Sequence, residues 1–273
     1  MVSRIFFSLF GFVYAGHIYL YLYKKGDGMG FYEQISKYYD YIFPVGGAQL
    51  DLIKSSAGNP PKRLLDVACG SGGYSEALAK SGYSLVSIDL DEKMVKLAGE
   101  KAVNGQLDME VLKCDMGNIA DTVPGSFDCI FCIGNSLVHL GSIEEIKESL
   151  MQMRTKLLAG GSLLLQIINF DRILKYGISS LPEIEVSEIG LKFTRKYRRD
   201  EVSNKIHFDT ILTVEGKRDF EKFENSVELL PLKSTELIRL MKEAGFGRVE
   251  VYGDFNLSSF TVDSYLLVLK VAE

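Results

Sequence analysis

The segment Leu64-Leu65-Asp66-Val67-Ala68-Cys69-Gly70-Ser71-Gly72-Gly73 constrains this chain more than any other. A short apolar run passes straight into a glycine-rich bend and then into a helical pattern. Glycines at such a bend let backbone approach a ligand closely, and the helix start beyond it offers unpaired N–H groups. The spacing predicts a buried strand Arg63–Ala68, a bend at Gly70–Gly72 and a helix over Gly73–Lys80.

Around this unit the pattern from Gly30 onward alternates apolar strands with helical stretches, the signature of a parallel sheet covered on both faces. Helices are expected over Phe31–Phe43, Gln49–Ser56, Glu92–Val103 and Ile143–Leu158, the last ended by Gly160-Gly161. Further strands are expected at Ser84–Leu90, Met109–Cys114, Phe127–Ile133 and Ser162–Asn169. The rhythm then stops between about residues 171 and 233. One short helix is followed by two-residue alternation, with Leu191, Phe193, Arg195, Tyr197 and Arg199 on one strand face. Ile206, Phe208, Thr210, Leu212 and Val214 share a face of the next strand, the turn lies at Asp200–Asn204, and a third strand runs over Phe220–Leu230. This reads as an antiparallel β insertion. A helix from Ser234 to Ala244 and strands Arg248–Gly253 and Ser264–Val271 complete an α/β fold with a mostly parallel seven-stranded sheet.

The 273 residues are 47% hydrophobic and 25% charged, enough apolar content to bury a core. A net charge of −5 argues against a nucleic-acid partner. The basic run Arg195, Lys196, Arg198 and Arg199 reads as a solvated strand face. Cys129 and Cys132 form a C-x-x-C, but on a strand residues three apart face opposite ways, so these thiols, with Cys69 and Cys114, are expected in the core and no metal site is expected. Reduced thiols fit a cytoplasmic location.

Residues 1–28 form an apolar leader. Ile5–Tyr23 contains no Asp, Glu, Lys or Arg and is long enough to cross a bilayer, which would make a membrane anchor. A second reading starts translation at Met29, because Lys25-Gly26-Asp27-Gly28 can be encoded by a purine-rich string resembling a bacterial ribosome-binding site. The folded unit is then residues 29–273 on either reading.

Two acids strengthen the glycine bend. Asp66 precedes it, and Asp89 ends the next strand, placed to accept both hydroxyls of a ribose, with Leu90 beside it. A dinucleotide fingerprint would want a third glycine where Ser75 stands and has no use for Asp66. Asp115 can accept from an adenine amino group, with Met116 against the ring; its alternative role is a helix cap. After strand four, Ile133-Gly134-Asn135-Ser136 leads to His139 at the carboxyl end of the sheet, where ligands bind in such folds. Asn135 can present a carbonyl to an amine, and His139 is a candidate proton acceptor or a plain hydrogen-bond partner.

These residues resemble the glycine N-methyltransferase family and its bacterial glycine/sarcosine methyltransferase relatives. The likeness rests on Asp66–Gly72, on Gly134-Asn135-Ser136 with His139, on Asn169-Phe170-Asp171-Arg172-Ile173-Leu174, on Gly253-Asp254-Phe255 and on the place of the β insertion. It implies a Rossmann-like class I methyltransferase fold and S-adenosylmethionine as cofactor. It also implies cofactor contacts at Ala68, Asp89, Asp115, Met116 and Ile133–Ser136, and an amine oriented by Asn135. The bend itself adds Asp66, Gly70 and Gly72 to the expected cofactor site. The Tyr38-Tyr39-Asp40 segment resembles one that precedes the cofactor bend in small-molecule methyltransferases, so Tyr39 is expected either to close over the sulfonium side of the site or to serve as an aromatic core contact at helical spacing. The animal enzyme grips its substrate carboxylate with an arginine where this chain has Ile168, which an aliphatic side chain cannot replace. Arg172 or Arg195 could take over.

The expected activity is methyl transfer to a small-molecule acceptor, an amine above all, by in-line displacement, with Asn135 and His139 as the reacting-site residues. Tyr176, Arg195, Tyr197 and Tyr252 are candidate acceptor residues on or near the lid. An oxygen or sulfur acceptor, or a non-catalytic binder of the same cofactor, are the alternatives.

Overall fold

A computed structural model of the chain describes residues 35–216 and 220–272. The leader, Ile5–Tyr23 and Met29 lie outside them, as does the first part of the helix expected over Phe31–Phe43.

Strands β1 (Arg63–Val67), β2 (Ser84–Asp89), β3 (Met109–Lys113), β4 (Phe127–Cys132) and β5 (Leu157–Ile168) follow the expected order. Strands β6 (Ser180–Val186), β7 (Leu191–Asp200), β8 (Lys205–Glu215) and β9 (Phe220–Leu229) form the insertion, and β10 (Val249–Tyr252) and β11 (Leu266–Ala272) end the chain. The main sheet has seven strands in the order β10-β11-β5-β4-β1-β2-β3. The pairs β1–β2, β2–β3, β1–β4 and β4–β5 are parallel; β5–β11 and β10–β11 are antiparallel. The order reverses between β1 and β4, which opens a crevice beyond their carboxyl ends.

Each central strand is apolar on both faces because both are covered. Leu64 of β1 and Cys129 and Phe131 of β4 pack with Leu52, Ile53, Leu78 and Ala98, from helices Gly47–Ala57, Gly73–Ala79 and Glu92–Gly105. Their neighbours Leu65, Ile130 and Cys132 turn to the other face, against Ile146, Leu150, Leu237 and Met241 of helices Ile143–Lys156 and Ser234–Glu243. The two-residue period therefore splits Cys129 from Cys132. Both thiols are buried, at 0% and 2% exposure, and no described cysteine is in a disulfide.

Helix Ile143–Lys156 stops short of the expected Leu158, and Leu157–Gly161 joins β5 instead. Leu157 pairs with Phe127 while Ser162 pairs with Cys129, so β5 carries a bulge there, with Gly160 at φ +77°. The described end of the N-terminal helix is two short pieces, a 3-10 turn at Ser36–Tyr38 and a helical turn at Tyr39–Ile42.

The insertion is a separate antiparallel sheet in the order β6-β7-β8-β9. Strand β6 was not expected from the sequence. Pro182 interrupts it and its register slips between Leu181 and Ile184, as suits an edge strand. The inward face of the sheet is set by alternation: Leu191, Phe193 and Tyr197 of β7 and Ile206, Thr210 and Leu212 of β8 are all buried. At one end Leu191, Phe193, Leu212 and Val214 pack on Ile35, Tyr38 and Ile42. At the other, Tyr197, Ile206 and Leu229 join the main core. The insertion is thus pinned over the crevice at both ends. Among the described residues no helix is long and apolar enough to cross a membrane.

Candidate functional site

The bend after β1 takes its shape from backbone that most residues avoid. Gly70 and Gly72 adopt φ +56° and +78°, and Ala68 is held at +60°. A Cβ at Gly72 would stand 2.8 Å from Ala98 Cβ, so the bend can pack on helix Glu92–Gly105 only as glycine. Gly70 donates its N–H to Asp89 Oδ2 (2.8 Å), and Asp91 N–H donates to Asp89 Oδ1 (2.9 Å). Burial raises the Asp89 carboxyl above its ordinary value, against the pull of these backbone donors. One oxygen of Asp115 caps the turn at Met116–Asn118 by accepting from Gly117 N–H (2.8 Å). The cap reading and the cavity reading therefore both hold for Asp115.

Two cavities meet here. One, of about 360 Å³, is lined by Gly70, Asp89, Leu90, Asp115, Met116, Ser136 and Leu140. The other, of about 380 Å³, is lined by Asp66, Cys69, Tyr74, Asn135, Gln166, Ile168, Leu181, Arg195, Phe208 and Phe255, among others. Tyr39, Ala68, Ile133, Gly134 and His139 border both. The expected cofactor residues thus converge on one crevice, except Gly72, which shapes the bend from behind.

Asp66 is 3% exposed and accepts from Ser75 Oγ (2.7 Å), which in turn accepts from Ser87 Oγ (2.7 Å). Burial outweighs the serine and raises the Asp66 carboxyl to about 7. Asn135 sits at φ +71°, and its Oδ1 accepts from Ile168 N–H (2.9 Å). Gln166 Oε1 accepts from Gly134 N–H (2.8 Å), so two amides stitch the β4 loop to β5. Desolvation lowers the His139 imidazole to about 4, so it is neutral at physiological pH and only weakly basic. Tyr39 packs over Gly70 and against Phe43, ring centres 5.1 Å apart. The segment is latched down by Asp40, which is hydrogen-bonded to Ser71 Oγ and paired with Lys101 Nζ (2.8 Å).

Three candidate acceptor residues fall away from the cavities. Tyr176 is 52% exposed and donates to Asp263 Oδ1 (2.6 Å), because its helix turns it outward. Tyr252 donates to Glu250 Oε2 (3.1 Å), and Tyr197 is buried in the core behind the lid face. Arg172 lies over the Tyr265 ring, 4.1 Å away. Arg195 alone of the acceptor candidates lines the larger cavity. The basic run is solvated at Lys196, Arg198 and Arg199, but Arg195 turns inward. Asn169 is structural: it caps helix Phe170–Tyr176 and donates to Ser264 O (2.8 Å). Sequence reasoning missed Gln166, Tyr74, Leu181 and Phe255. A lone glutamine within Leu163–Ile168 was the available signal for the first.

A methyltransferase domain model matches residues 64–161. The chain is 31% identical to glycine N-methyltransferase of Rattus norvegicus over 217 residues, 71% of this chain and 72% of that protein. It is 32% identical to glycine/sarcosine/dimethylglycine N-methyltransferase of Actinopolyspora halophila, covering 77% of this chain but 35% of that longer protein. An S-adenosylmethionine-dependent methyltransferase from Clostridium acetobutylicum shares the fold, with a TM-score of 0.76 at 15% identity over 88% of this chain and 98% of that one.

The residues present fit S-adenosylmethionine. The smaller cavity offers acceptors for sugar hydroxyls at Asp89 and for an adenine amine at Asp115, while the larger offers a buried carboxyl at Asp66 that no described cation pairs with, as an amino-acid ammonium requires. On the family likeness and this geometry, the chain belongs to the class I S-adenosylmethionine-dependent methyltransferases.

Proposed function

We infer that the chain methylates a nitrogen of a small-molecule amine. In this reading Asp89 receives the ribose of the donor, Asp115 and Met116 the adenine, and Asp66 with the Gly70–Gly72 bend the methionine end. S-adenosylmethionine, when bound, supplies a methyl group activated by its sulfonium and open to in-line attack by a lone pair. The chain's own work is to align that lone pair and keep water out.

The observation that carries the amine reading is the lining of the larger cavity, where the amides of Asn135 and Gln166 stand beside the apolar side chains of Ile168, Leu181, Phe208 and Phe255, with His139, its imidazole lowered to about 4 by desolvation, at the junction of the two cavities. An alcohol acceptor must lose a proton to become nucleophilic, and an imidazole this weak is a poor base for it. A neutral amine already carries its lone pair, and a desolvated wall of Ile168, Leu181, Phe208 and Phe255 favours the uncharged amine. The carbonyls of Asn135 and Gln166 lie on the same cavity and can accept its N–H groups. Tyr39 and Ala68 close the junction. The relatives named as N-methyltransferases support the same acceptor atom.

The test is a panel of small amines, alcohols and thiols incubated with the full chain and S-adenosylmethionine, scored for methylated product by mass spectrometry. Methylated amines are expected. Transfer confined to alcohols or thiols would overturn the reading, as would tight cofactor binding with no product from any class.

A further inference from the structure

Gln166 interrupts an apolar run in β5: Leu163, Leu164, Leu165 and Ile167 around it are all buried, and Gln166 itself is 6% exposed. An amide in such a place is costly unless its polar atoms are met. Its oxygen is met, since Gly134 N–H donates to Oε1 (2.8 Å). Its nitrogen is not: Nε2 has no hydrogen-bond partner among the described residues. Nor is Nε2 sealed in the core, for Gln166 lines the larger cavity.

Chemistry fixes which end of this amide the cavity receives. A backbone N–H can only donate, so Gln166 must turn its oxygen to Gly134 and its NH2 away from it. Asn135 is locked in the same manner, with Oδ1 accepting from Ile168 N–H (2.9 Å), and Asn135 N–H donates to Gln166 O (3.4 Å). Three bonds therefore hold the loop to β5, and Gln166 cannot flip without breaking the first of them. The two-residue period of the strand sets Gln166 and Ile168 on one face, and both line the cavity. Each amide oxygen keeps a second lone pair for an amine N–H, so the Gln166 NH2 is a separate, unmet donor.

We propose that Gln166 determines which amines are accepted, by donating from Nε2 to an uncharged oxygen carried on the acceptor, such as an ether, hydroxyl or carbonyl. The inference rests on the amine reading above. A site with a buried, unmet donor discriminates against a ligand that lacks the matching oxygen, because the donor then stays unpaired. The amide brings no charge, and Ile168 beside it is apolar, so a neutral oxygen costs less to desolvate at this wall than an anion.

The test uses the full chain saturated with S-adenosylhomocysteine and titrated calorimetrically at about pH 9 with ether amines and alkyl amines of matching shape. The pairs are 2-methoxyethylamine with butylamine, 3-methoxypropylamine with pentylamine, and 2-methoxycyclohexylamine with 2-ethylcyclohexylamine. An ether oxygen can only accept, so the comparison isolates donation from the protein. In at least one pair the ether is expected to bind about threefold or more tighter. Gln166→Glu, whose ionised carboxylate still accepts from Gly134 N–H but has nothing to donate, should erase that preference while S-adenosylhomocysteine affinity holds. Gln166→Met, without charge or donor, should erase it as well. No ether preference in any pair, no binding by any ether, or a preference that survives either substitution would overturn the proposal and leave amine transfer standing. Ethers that bind through Gln166 yet are never methylated would keep the contact and remove the amine-transfer reading instead.

Discussion

Gly70 and Asp89 are joined by a 2.8 Å hydrogen bond from backbone N–H to Oδ2, which ties the bend after β1 to the end of β2. The bond orients the carboxylate before any ligand arrives, and Asp91 N–H holds the other oxygen. In the proposed reading, each oxygen keeps a lone pair for a sugar hydroxyl of the donor.

Asp89→Ala should therefore weaken S-adenosylmethionine binding by about 10- to 100-fold, since a hydrogen bond to a charged group contributes roughly 1.5–3 kcal/mol. Asp89→Asn keeps one acceptor oxygen and should fall between the variant and the parent. Isothermal titration decides it; an affinity unchanged in Asp89→Ala would detach this residue from the donor site.

Asp66 predicts a pH dependence. Its carboxyl is raised from 3.8 to about 7 by burial. Because the folded value lies above the unfolded one, the proton stabilises the empty protein: that contribution is full below 3.8 and is lost as pH rises through about 7. Binding of a ligand ammonium needs the ionised form, so donor affinity should fall as pH drops below about 7, approaching tenfold per unit. Asp66→Asn should flatten the profile and lower affinity at pH 8. A parent profile already flat from pH 5.5 to 8.5 would contradict the assignment.

His139 predicts the opposite kind of curve. With its imidazole lowered to about 4 by desolvation, turnover at saturating donor should show no inflection between pH 6 and 8 from this group. Its folded value lies below the ordinary 6.5, so its contribution to stability is full above 6.5 and is lost as pH falls through about 4. His139→Gln, neutral and hydrogen-bonding, should keep turnover within a few-fold, whereas His139→Ala opens a gap at the cavity junction and should cost more. A bell-shaped kcat profile that loses its acidic limb in His139→Gln would restore the imidazole as a proton acceptor.

The fold and the residues that meet at the crevice were legible because both are written in local pattern. The short apolar runs of β1 and β4, the glycines of the bend and the acid ending β2 each carry their meaning within a few residues. Strand β6 was not, since Pro182 breaks the alternation that would have revealed it, and pairing with β7 supplies what the pattern lacks. The acceptor side was legible only in part. Tyr176 and Tyr252 looked as available as Arg195, and which of them reaches the cavity depends on how helix Phe170–Tyr176, β10 and the lid strand β7 are each set about it, relations between residues far apart in sequence. The tie between Asn135 and Ile168 is of the same kind.

Tyr197 offers a test of that lid packing independent of any ligand. Its ring lies 5.5 Å from that of Phe208 and is 6% exposed, while its hydroxyl is buried with no hydrogen-bond partner. Burial raises the phenol, so it stays protonated and its O–H remains an unmet donor. A buried polar group left unsatisfied costs about 1–3 kcal/mol, whereas the ring's packing is independent of the oxygen. Tyr197→Phe should accordingly raise the stability of the unliganded protein, by about 1 kcal/mol after the surroundings relax. Tyr197→Ala, which deletes the ring, should lower it by roughly 3–5 kcal/mol. The measurement is the urea midpoint at constant slope for the three proteins. Destabilisation by Tyr197→Phe would mean that the hydroxyl has a partner and that the inner face of β7 sits differently over the core.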